Sequence, residues 1–221
     1  MKRFTIIPAA GIGQRFGTDV PKQFVELNGK PVLMHTLERF TFTNEKIILV
    51  LHPEFISFWK KLCEKFSFNV LHIIVEGGKT RTDSVKNGLT IIKEDGVVAI
   101  HDAVRPLVSR KLIEKIFAVA EEKENAVPAI PIQDSLRKSE GEKNFSVDRK
   151  EYRMVQTPQC FHINKLKAAY ENFSGKEFTD DASVYEASGE KINLVEGESS
   201  NLKITEPGDL LIAEALIQSQ K

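Results

Sequence analysis

Three glycines and two basic side chains lie close together near the N-terminus. The stretch AAGIGQRFGTDVPKQF follows the apolar run FTIIP and includes Gly11, Gly13, Arg15 and Lys22. Glycines let a backbone approach a ligand and direct its amides inward, and two cations can neutralise charge on a phosphoryl group. The spacing therefore favours a phosphate-bearing ligand, although a glycine turn with surface Arg and Lys would give the same pattern.

This stretch differs from the two common phosphate-binding loops. A Walker loop needs GxxxxGK followed by Ser or Thr, whereas Gly11 and Gly17 are one residue too far apart and Thr18 comes next. The dinucleotide fingerprint GxGxxG fails because Phe16 occupies the third glycine position. The sequence therefore predicts an anion site of another kind.

Further polar residues follow other apolar runs. VVAI leads into HDAVRP, where Asp102 could hold Mg²⁺ and Arg105 could bind an oxyanion, although the two could equally form a local salt bridge. HIIV leads into EGGKTRTDSV, where Gly77 and Gly78 leave room for a planar base and the Ser84 hydroxyl could read a base edge. Alternatively, these glycines simply end the strand.

Two more candidates lie near the C-terminus. TDDAS, residues 179–183, has the pattern of a helix start with Thr179 or Asp180 as the cap. NLKIT carries Lys203 in an otherwise apolar context. Each feature has a plain structural explanation by itself, and their shared position after predicted elements favours one common site.

The elements that must position these residues alternate between strands and helices. Apolar runs of β type occur at 4–9, 46–52, 70–76, 97–102, 126–132 and 191–197. Apolar residues three or four apart lie between the runs, and Pro31, Ser109 and Pro207 mark helix starts. This order predicts an α/β fold with a mostly parallel sheet flanked by helices, in which ligands bind outside the carboxyl ends of the strands.

Residues 133–156 interrupt the alternation with a polar, charged segment that contains the turn-like SEGEKN. The segment predicts a projecting β-arm that serves as a lid or grips another subunit, with a solvated loop as the alternative. No linker divides the sequence, so one domain is expected over residues 1–221.

Composition limits the class of protein. The chain has 31 basic and 31 acidic residues in 221, so neither a nucleic-acid surface nor a membrane surface is expected. Pro8 and Gly11 break the N-terminal apolar stretch, and the sequence indicates a cytoplasmic protein. Cys63 and Cys160 lie far apart without metal-ligand spacing, which argues against a disulfide framework or structural zinc.

The motifs together resemble a known family over nearly the whole chain. They are PAAGIGQRFGTDVPKQF, GGKTRTDSV, HDAVRP, DSLR, VQTPQ, FTDDAS and VEGESSNLKIT. In this order they closely resemble the 2-C-methyl-D-erythritol 4-phosphate cytidylyltransferases of the non-mevalonate isoprenoid pathway. The resemblance implies a Rossmann-like nucleotidyltransferase fold, homodimers joined by the β-arm, Mg²⁺ dependence, and transfer of CMP from CTP to the polyol phosphate with release of pyrophosphate.

The resemblance also implies roles for individual residues. Stabilisation of the transition state at the α-phosphorus is implied for Arg15, Lys22 and Lys203. Contacts with CTP are implied for Ala9, Ala10, Gly11, Gly13, Gly78 and Ser84. Asp102 would hold Mg²⁺ and, with Arg105 and Thr179, would face the methylerythritol hydroxyls. From the arm, Ser135 and Arg149 would bind the incoming phosphate in the partner's site.

Some positions depart from the commonest family pattern. Val104 replaces the second alanine of DAARP, Ser135 and Arg137 stand where the arm has Thr and Lys, and Lys79 follows the glycine pair where an acid is frequent. These changes bear on substrate contacts more than on the reaction. His101 is interpreted as structural, because a substrate phosphate is already an anionic nucleophile and needs no general base.

Two other functions are compatible with the motifs. Ribitol-5-phosphate cytidylyltransferases share the glycine loop, a similar HDAxRP motif and the arm, and sequence alone separates the two polyols poorly. A noncatalytic nucleotide-binding regulator with the same fold is disfavoured because it would be expected to lose Arg15, Lys22 or Asp102, and all three are present.

Overall fold

A mixed sheet of eight strands forms the centre of the protein. The computed structural model describes residues 1–11, 20–42, 46–172 and 178–219. The strands are β1 (Arg3–Ala9), β2 (Glu26–Leu27), β3 (Lys30–Pro31), β4 (Lys46–Leu51), β5 (Ile73–Glu76), β6 (Val97–Ile100), β7 (Asn125–Pro131), β8 (Leu136–Glu140), β9 (Lys143–Val147), β10 (Arg153–Val155), β11 (Gln159–His162) and β12 (Leu194–Glu196). The α-helices are α1 (Val32–Glu38), α2 (Pro53–Lys65), α3 (Arg81–Thr90), α4 (Arg110–Lys123), α5 (Ile163–Asn172), α6 (Asp181–Ala187) and α7 (Pro207–Gln218).

The strand order of the central sheet reverses at β1. The order is β10–β7–β11–β6–β1–β4–β5, with β12 paired to β7. Strands β6, β1, β4 and β5 run parallel, whereas β11 is antiparallel to both β6 and β7, and β10 is antiparallel to β7. From β1 the chain proceeds to β4 and β5 and then returns to β6 on the other side. Such a reversal opens a crevice at the carboxyl ends of the strands, where α/β proteins bind ligands.

Helices cover both faces of the sheet because its central strands are apolar on both sides. Alternate residues of β1 enter different cores: Ile7 packs in a cluster with Trp59 of α2 and Ile116 of α4, and Ile6 packs in a cluster with Val85 of α3. Period-two alternation of buried side chains explains this division. The α/β order predicted from the sequence is confirmed.

Helix starts follow the expected capping chemistry. The Ser109 hydroxyl caps α4 by accepting a hydrogen bond from the Leu112 amide at 3.0 Å, and Pro207 begins α7. Thr80 and Asp83 form a capping box at the start of α3. Of the two caps considered for α6, the structure selects Asp180, whose carboxylate accepts from the Ser183 amide at 3.0 Å.

The predicted arm contains an antiparallel hairpin. Strands β8 and β9 pair with each other and form a separate two-stranded sheet, and Gly141 occupies their turn with φ 62°. The arm is shorter than residues 133–156, because β10 leaves it and pairs with β7 of the central sheet. Both β11 and α5 were absent from the sequence interpretation; QCFH is a four-residue strand without clear alternation.

Within the described residues, no helix combines the length and the apolar character that a membrane crossing needs.

Candidate functional site

A cleft of about 450 Å³ lies at the carboxyl ends of β1 and β6. Residues from four separate motifs of the sequence line it. Those that the sequence interpretation singled out are Ala9, Ala10, Gly11, Lys22, Gly78, Ser84, Asp102 and Lys203. The sheet therefore brings the glycine stretch, GGKTRTDSV, HDAVRP and NLKIT to one place, as the strand-end argument predicts.

Lys22 and Lys203 are brought together through the residue beside Lys203. The Ile204 amide donates to the Val104 carbonyl at 2.9 Å, which fastens the NLKIT segment to HDAVRP. Lys22 donates from Nζ to the Ile204 carbonyl at 3.1 Å. The two lysines thus line the same cleft although they come from opposite ends of the chain.

Asp102 is surrounded by positive charge. Its Oδ2 atom lies 3.1 Å from Lys203 Nζ and 3.2 Å from Arg105 Nε, and its Oδ1 atom lies 3.9 Å from Arg81 Nη2. Burial alone would favour the protonated acid, but Lys203, Arg81 and Arg105 outweigh burial and hold the pKa of Asp102 well below its usual range. The cleft therefore contains a carboxylate that stays ionised at neutral pH.

Arg81 belongs to a second, buried charge pair. Its Nη2 atom lies 2.7 Å from Oδ2 of Asp181, whose side chain is fully buried, and the Tyr170 hydroxyl donates to Oδ1 of the same carboxylate. Burial disfavours the charged guanidinium, but Asp181 and Asp102 outweigh it and raise the pKa of Arg81. Arg81 thus presents a fixed positive charge at the wall of the cleft.

The backbone of the glycine stretch is held by Gln23. This buried side chain donates from Nε2 to the carbonyls of Ala9 and Gly11 at 2.7 and 2.9 Å. A side chain that binds two carbonyls on either side of Ala10 fixes the path of the chain as it leaves β1. Gly13 and Arg15 lie outside the described residues, so their roles stay predictions.

The glycine pair of GGKTRTDSV serves close packing. A Cβ atom on Gly77 would lie 2.3 Å from the Cβ atom of Ala10, and one on Gly78 would lie 2.3 Å from the Cβ atom of Asp83. The Ser84 hydroxyl accepts from the Gly78 amide at 3.1 Å and donates to the Thr80 carbonyl at 2.9 Å. Gly77 therefore lets this loop pack against the first loop, and Gly78 lets it pack against the start of α3, while the room for a base that the sequence suggested stays a prediction.

A buried histidine supports Asp102 from behind. The His101 ring nitrogens lie 3.0 Å from the Arg105 carbonyl and 3.1 Å from the Thr157 hydroxyl, and that hydroxyl also accepts from the Asp102 amide at 3.0 Å. Burial lowers the pKa of His101 to about 4. A neutral ring that binds backbone and hydroxyl groups agrees with the structural interpretation of His101.

The remaining candidate residues lie outside the lining of this cleft. Arg105 is buried, and its Nη1 atom donates to the Asn201 carbonyl at 2.7 Å. Thr179 is exposed just before α6, with its hydroxyl 3.5 Å from that of Ser183. Ser135 and Arg149 are exposed in the arm, where Arg149 donates to the Gln133 carbonyl. The chain by itself therefore does not bring the arm residues to its own cleft.

Comparison with known proteins gives the family of this chain. The family model described as 2-C-methyl-D-erythritol 4-phosphate cytidylyltransferase matches residues 4–219. The chain belongs to this cytidylyltransferase family. The resemblance drawn from the motifs is confirmed, and with it the assignment to the nucleotidyltransferases.

Relatives and solved structures extend the match over the full length. A cytidylyltransferase of this name from Bacteroides thetaiotaomicron is 46% identical over 219 residues, which cover 98% of this chain and 100% of the relative. Another from Azobacteroides pseudotrichonymphae is 48% identical over 221 residues, covering 98% and 99%. The crystal structure of the Thermus thermophilus cytidylyltransferase has a TM-score of 0.83 and 35% identity, covering 99% of this chain and 100% of that one. The Rossmann-like fold is thus shared with solved members of the family.

The sequence interpretation missed several residues that build this candidate site. They are Gln23, Arg81, Thr157, Asp181 and Asn201. Arg81 could have been noticed, because a cation in the first turn of a helix opposes the helix dipole and needs an acidic partner. Thr157 and Asn201 had no such pattern, since their roles depend on contacts between distant segments.

Proposed function

We propose that this protein transfers CMP from CTP to 2-C-methyl-D-erythritol 4-phosphate, giving 4-diphosphocytidyl-2-C-methyl-D-erythritol and pyrophosphate. The observation that carries the proposal is the meeting of Lys22, Lys203 and ionised Asp102 in one cleft of a chain that belongs to this family. As the interrupted N-terminal apolar stretch predicts, we expect the reaction to take place in the cytoplasm.

The chemistry is a displacement at the α-phosphorus of CTP. An oxygen of the polyol phosphate forms the new P–O bond, the bond to the β-phosphate oxygen breaks, and pyrophosphate leaves with that electron pair. Because the attacking phosphate is already an anion, the protein mainly aligns two negatively charged reactants and offsets their repulsion. Lys22 and Lys203 supply positive charge in the cleft, and we expect Arg15 to add to it.

The nucleotide would lie against the two loops that pack on each other. Ala10 and Gly11 follow β1 on one side, and Gly78 and Ser84 lie on the other. Exposed backbone groups of such loops can bind the base and the phosphates without long side chains. This placement leaves Asp102 and the region towards Thr179 for the polyol phosphate.

Asp102 fits the requirements of a Mg²⁺ ligand. Mg²⁺ in phosphoryl-transfer sites is usually bound by one or two carboxylates together with substrate phosphates and water. Asp102 is ionised and lines the cleft, so it would hold the ion with the triphosphate. Mg²⁺ bound there would neutralise charge on the phosphate oxygens.

We also propose that the arm joins two copies of the chain and completes the acceptor site. Ser135 and Arg149 are exposed, as residues that reach into a partner's cleft would be. Large apolar side chains of the arm and of β10 are exposed as well, including Phe145 at 49% and Met154 at 47%. Burial of such side chains against a second copy would stabilise a dimer.

The deciding experiment measures pyrophosphate release by purified protein with CTP and Mg²⁺. One reaction contains 2-C-methyl-D-erythritol 4-phosphate, a second contains ribitol 5-phosphate, and a third lacks any polyol phosphate. The proposal expects rapid release in the first reaction and little in the others. A strong preference for ribitol 5-phosphate would show that ribitol 5-phosphate is the acceptor. CTP binding without pyrophosphate release in the presence of either polyol phosphate would indicate the noncatalytic regulator.

A further inference from the structure

Arg81 occupies an electrostatically unfavourable position, and the proposed reaction gives no reason for it. The residue lies in the first turn of α3, where the positive end of the helix dipole disfavours a cation. It lines the cleft between two carboxylates, those of Asp102 and Asp181. A guanidinium placed between two acids could bind either one, and the distances show which one holds it.

Asp181 holds the guanidinium, and Asp102 does not. Arg81 Nη2 lies 2.7 Å from Asp181 Oδ2, which is a charge-assisted hydrogen bond, but 3.9 Å from Asp102 Oδ1, which is beyond hydrogen-bond distance. The positive charge of Arg81 therefore stabilises the ionised Asp102 carboxylate, although no hydrogen bond joins the two side chains. Its other oxygen, Oδ2, already faces Lys203 and Arg105.

Asp181 is itself fixed from the side away from the cleft. Its side chain is fully buried, and the Tyr170 hydroxyl from α5 donates to Oδ1, which leaves Oδ2 for Arg81. The preceding residue, Asp180, caps α6 and accepts a hydrogen bond from Gln159 at 2.8 Å. Two helices thus place the Asp181 carboxylate where it can draw the guanidinium away from Asp102.

We propose that Asp181, oriented by Tyr170, is a positioning residue that holds the Arg81 guanidinium off Asp102 and so keeps the Oδ1 atom of Asp102 open to ligands of the cleft. The effect on ligands rests on the proposed function, in which Asp102 binds a divalent cation, whereas the position of Arg81 follows from the distances alone. Without Asp181, the nearest remaining carboxylate for the guanidinium is Asp102, and a hydrogen bond to Oδ1 would then compete with any ligand there.

The first test is independent of activity. A crystal structure of Asp181→Asn should show Arg81 within hydrogen-bond distance of Asp102 Oδ1, because the amide no longer attracts the guanidinium. The wild-type protein crystallised under the same conditions is the control. If the guanidinium stays near its present position, or turns to solvent, Asp181 does not hold it off Asp102 and the proposal is wrong.

The second test measures binding of Mn²⁺ in the presence of CTP and without polyol phosphate, so that no turnover occurs. Asp181→Asn should weaken Mn²⁺ binding by about tenfold or more, the usual effect of losing an outer partner of a metal ligand. In the double variant Asp181→Asn with Arg81→Met, the competing guanidinium is gone, and Mn²⁺ binding should recover. A double variant as weak as the single one would overturn the proposal.

Tyrosine variants keep the test decisive if Asp181→Asn does not fold. Tyr170→Phe removes only the hydroxyl that orients Asp181 and should weaken Mn²⁺ binding by a smaller factor. Tyr185→Phe is the matched control, since Tyr185 is also fully buried but its hydroxyl makes no hydrogen bond to Asp181 or Arg81 in the described part of the chain. Equal Mn²⁺ binding by both tyrosine variants would contradict the role of Asp181.

Failure of wild-type protein to bind Mn²⁺ with CTP would count against the metal site of the proposed function, while the crystal structure would still decide the position of Arg81.

Discussion

Lys22 Nζ lies 3.1 Å from the carbonyl oxygen of Ile204, so the lysine that follows the glycine stretch is held next to the segment that carries Lys203. The amide of the same Ile204 donates to the Val104 carbonyl, beside Asp102. One backbone residue therefore ties together three motifs that lie far apart in the sequence. This arrangement concentrates positive charge where a triphosphate would be cleaved.

Replacement of Lys22 by alanine should reduce turnover by about hundredfold or more and leave CTP binding measurable, because a cation that acts mainly in the transition state contributes little to ground-state affinity. Pyrophosphate release and calorimetric CTP binding measure the two effects. Lys61→Ala is the control, since Lys61 is exposed on α2 away from the cleft. Turnover close to that of the control would refute the role of Lys22.

Replacement of Arg149 by alanine should raise the KM for the polyol phosphate far more than the KM for CTP. The expected increase in the KM for the polyol phosphate is about tenfold or more, because the side chain would contact the acceptor phosphate from the partner's arm by a charge-assisted hydrogen bond. Steady-state kinetics with each substrate varied in turn gives both constants. Lys150→Ala changes a neighbouring exposed charge and is the control. Equal changes in the two KM values would argue against a contact across subunits.

Acid should destabilise the protein through His101. The Nε2–H group donates to the Arg105 carbonyl, and Nδ1 accepts from the Thr157 hydroxyl, so the neutral ring fits its surroundings. Burial lowers the pKa of His101 from 6.5 to about 4, which means that the folded protein resists protonation. The resulting stabilisation is complete above the unfolded-state pKa and declines as pH falls towards 4.

Urea unfolding at pH 7 and pH 4.5 measures this effect. Over that interval wild-type protein should lose about 2 to 3 kcal/mol more unfolding free energy than His101→Gln, whose side chain does not titrate. The variant is compared with itself at the two pH values, so its own lower stability does not affect the result. Equal losses in the two proteins would show that His101 does not govern the acid response.

The sequence predicts the elements of this fold better than the contacts between them. Apolar runs identify β1, β4 and β6 because these strands are almost wholly buried on both faces, a property that is visible residue by residue. Pro31 and Pro207 in turn mark helix starts. The four-residue strand β11 carries no such pattern, and it forms because β6 and β7 offer it pairing partners on both sides. Its identification therefore needed the tertiary structure.

The same difference applies to the site. Lys22, Asp102 and Lys203 were identified by residue type and by position after predicted elements, together with the family resemblance. Asp181 and Thr157 act through side chains whose partners lie on distant elements, and nothing in their local sequence specifies those partners. Candidate ligand-binding residues can be identified from local chemistry, whereas the residues that position them depend on packing.

Replacement of Gly77 by alanine should destabilise the protein and weaken CTP binding. The new Cβ atom would lie 2.3 Å from the Cβ atom of Ala10 and 3.3 Å from the Leu51 carbonyl oxygen, so the loop after β5 and the loop after β1 would have to separate. Overpacking of this kind costs about 1 to 3 kcal/mol. Chemical denaturation and CTP titration measure the two effects.

Gly208→Ala is the matched control for this prediction. Gly208 lies in the first turn of α7, and an added Cβ atom there would meet nothing within 4 Å. That variant should keep the wild-type affinity for CTP and the same or a slightly higher stability, because alanine favours the helix over glycine. If Gly77→Ala behaved like Gly208→Ala, the close approach of the two loops would not be what requires glycine at position 77.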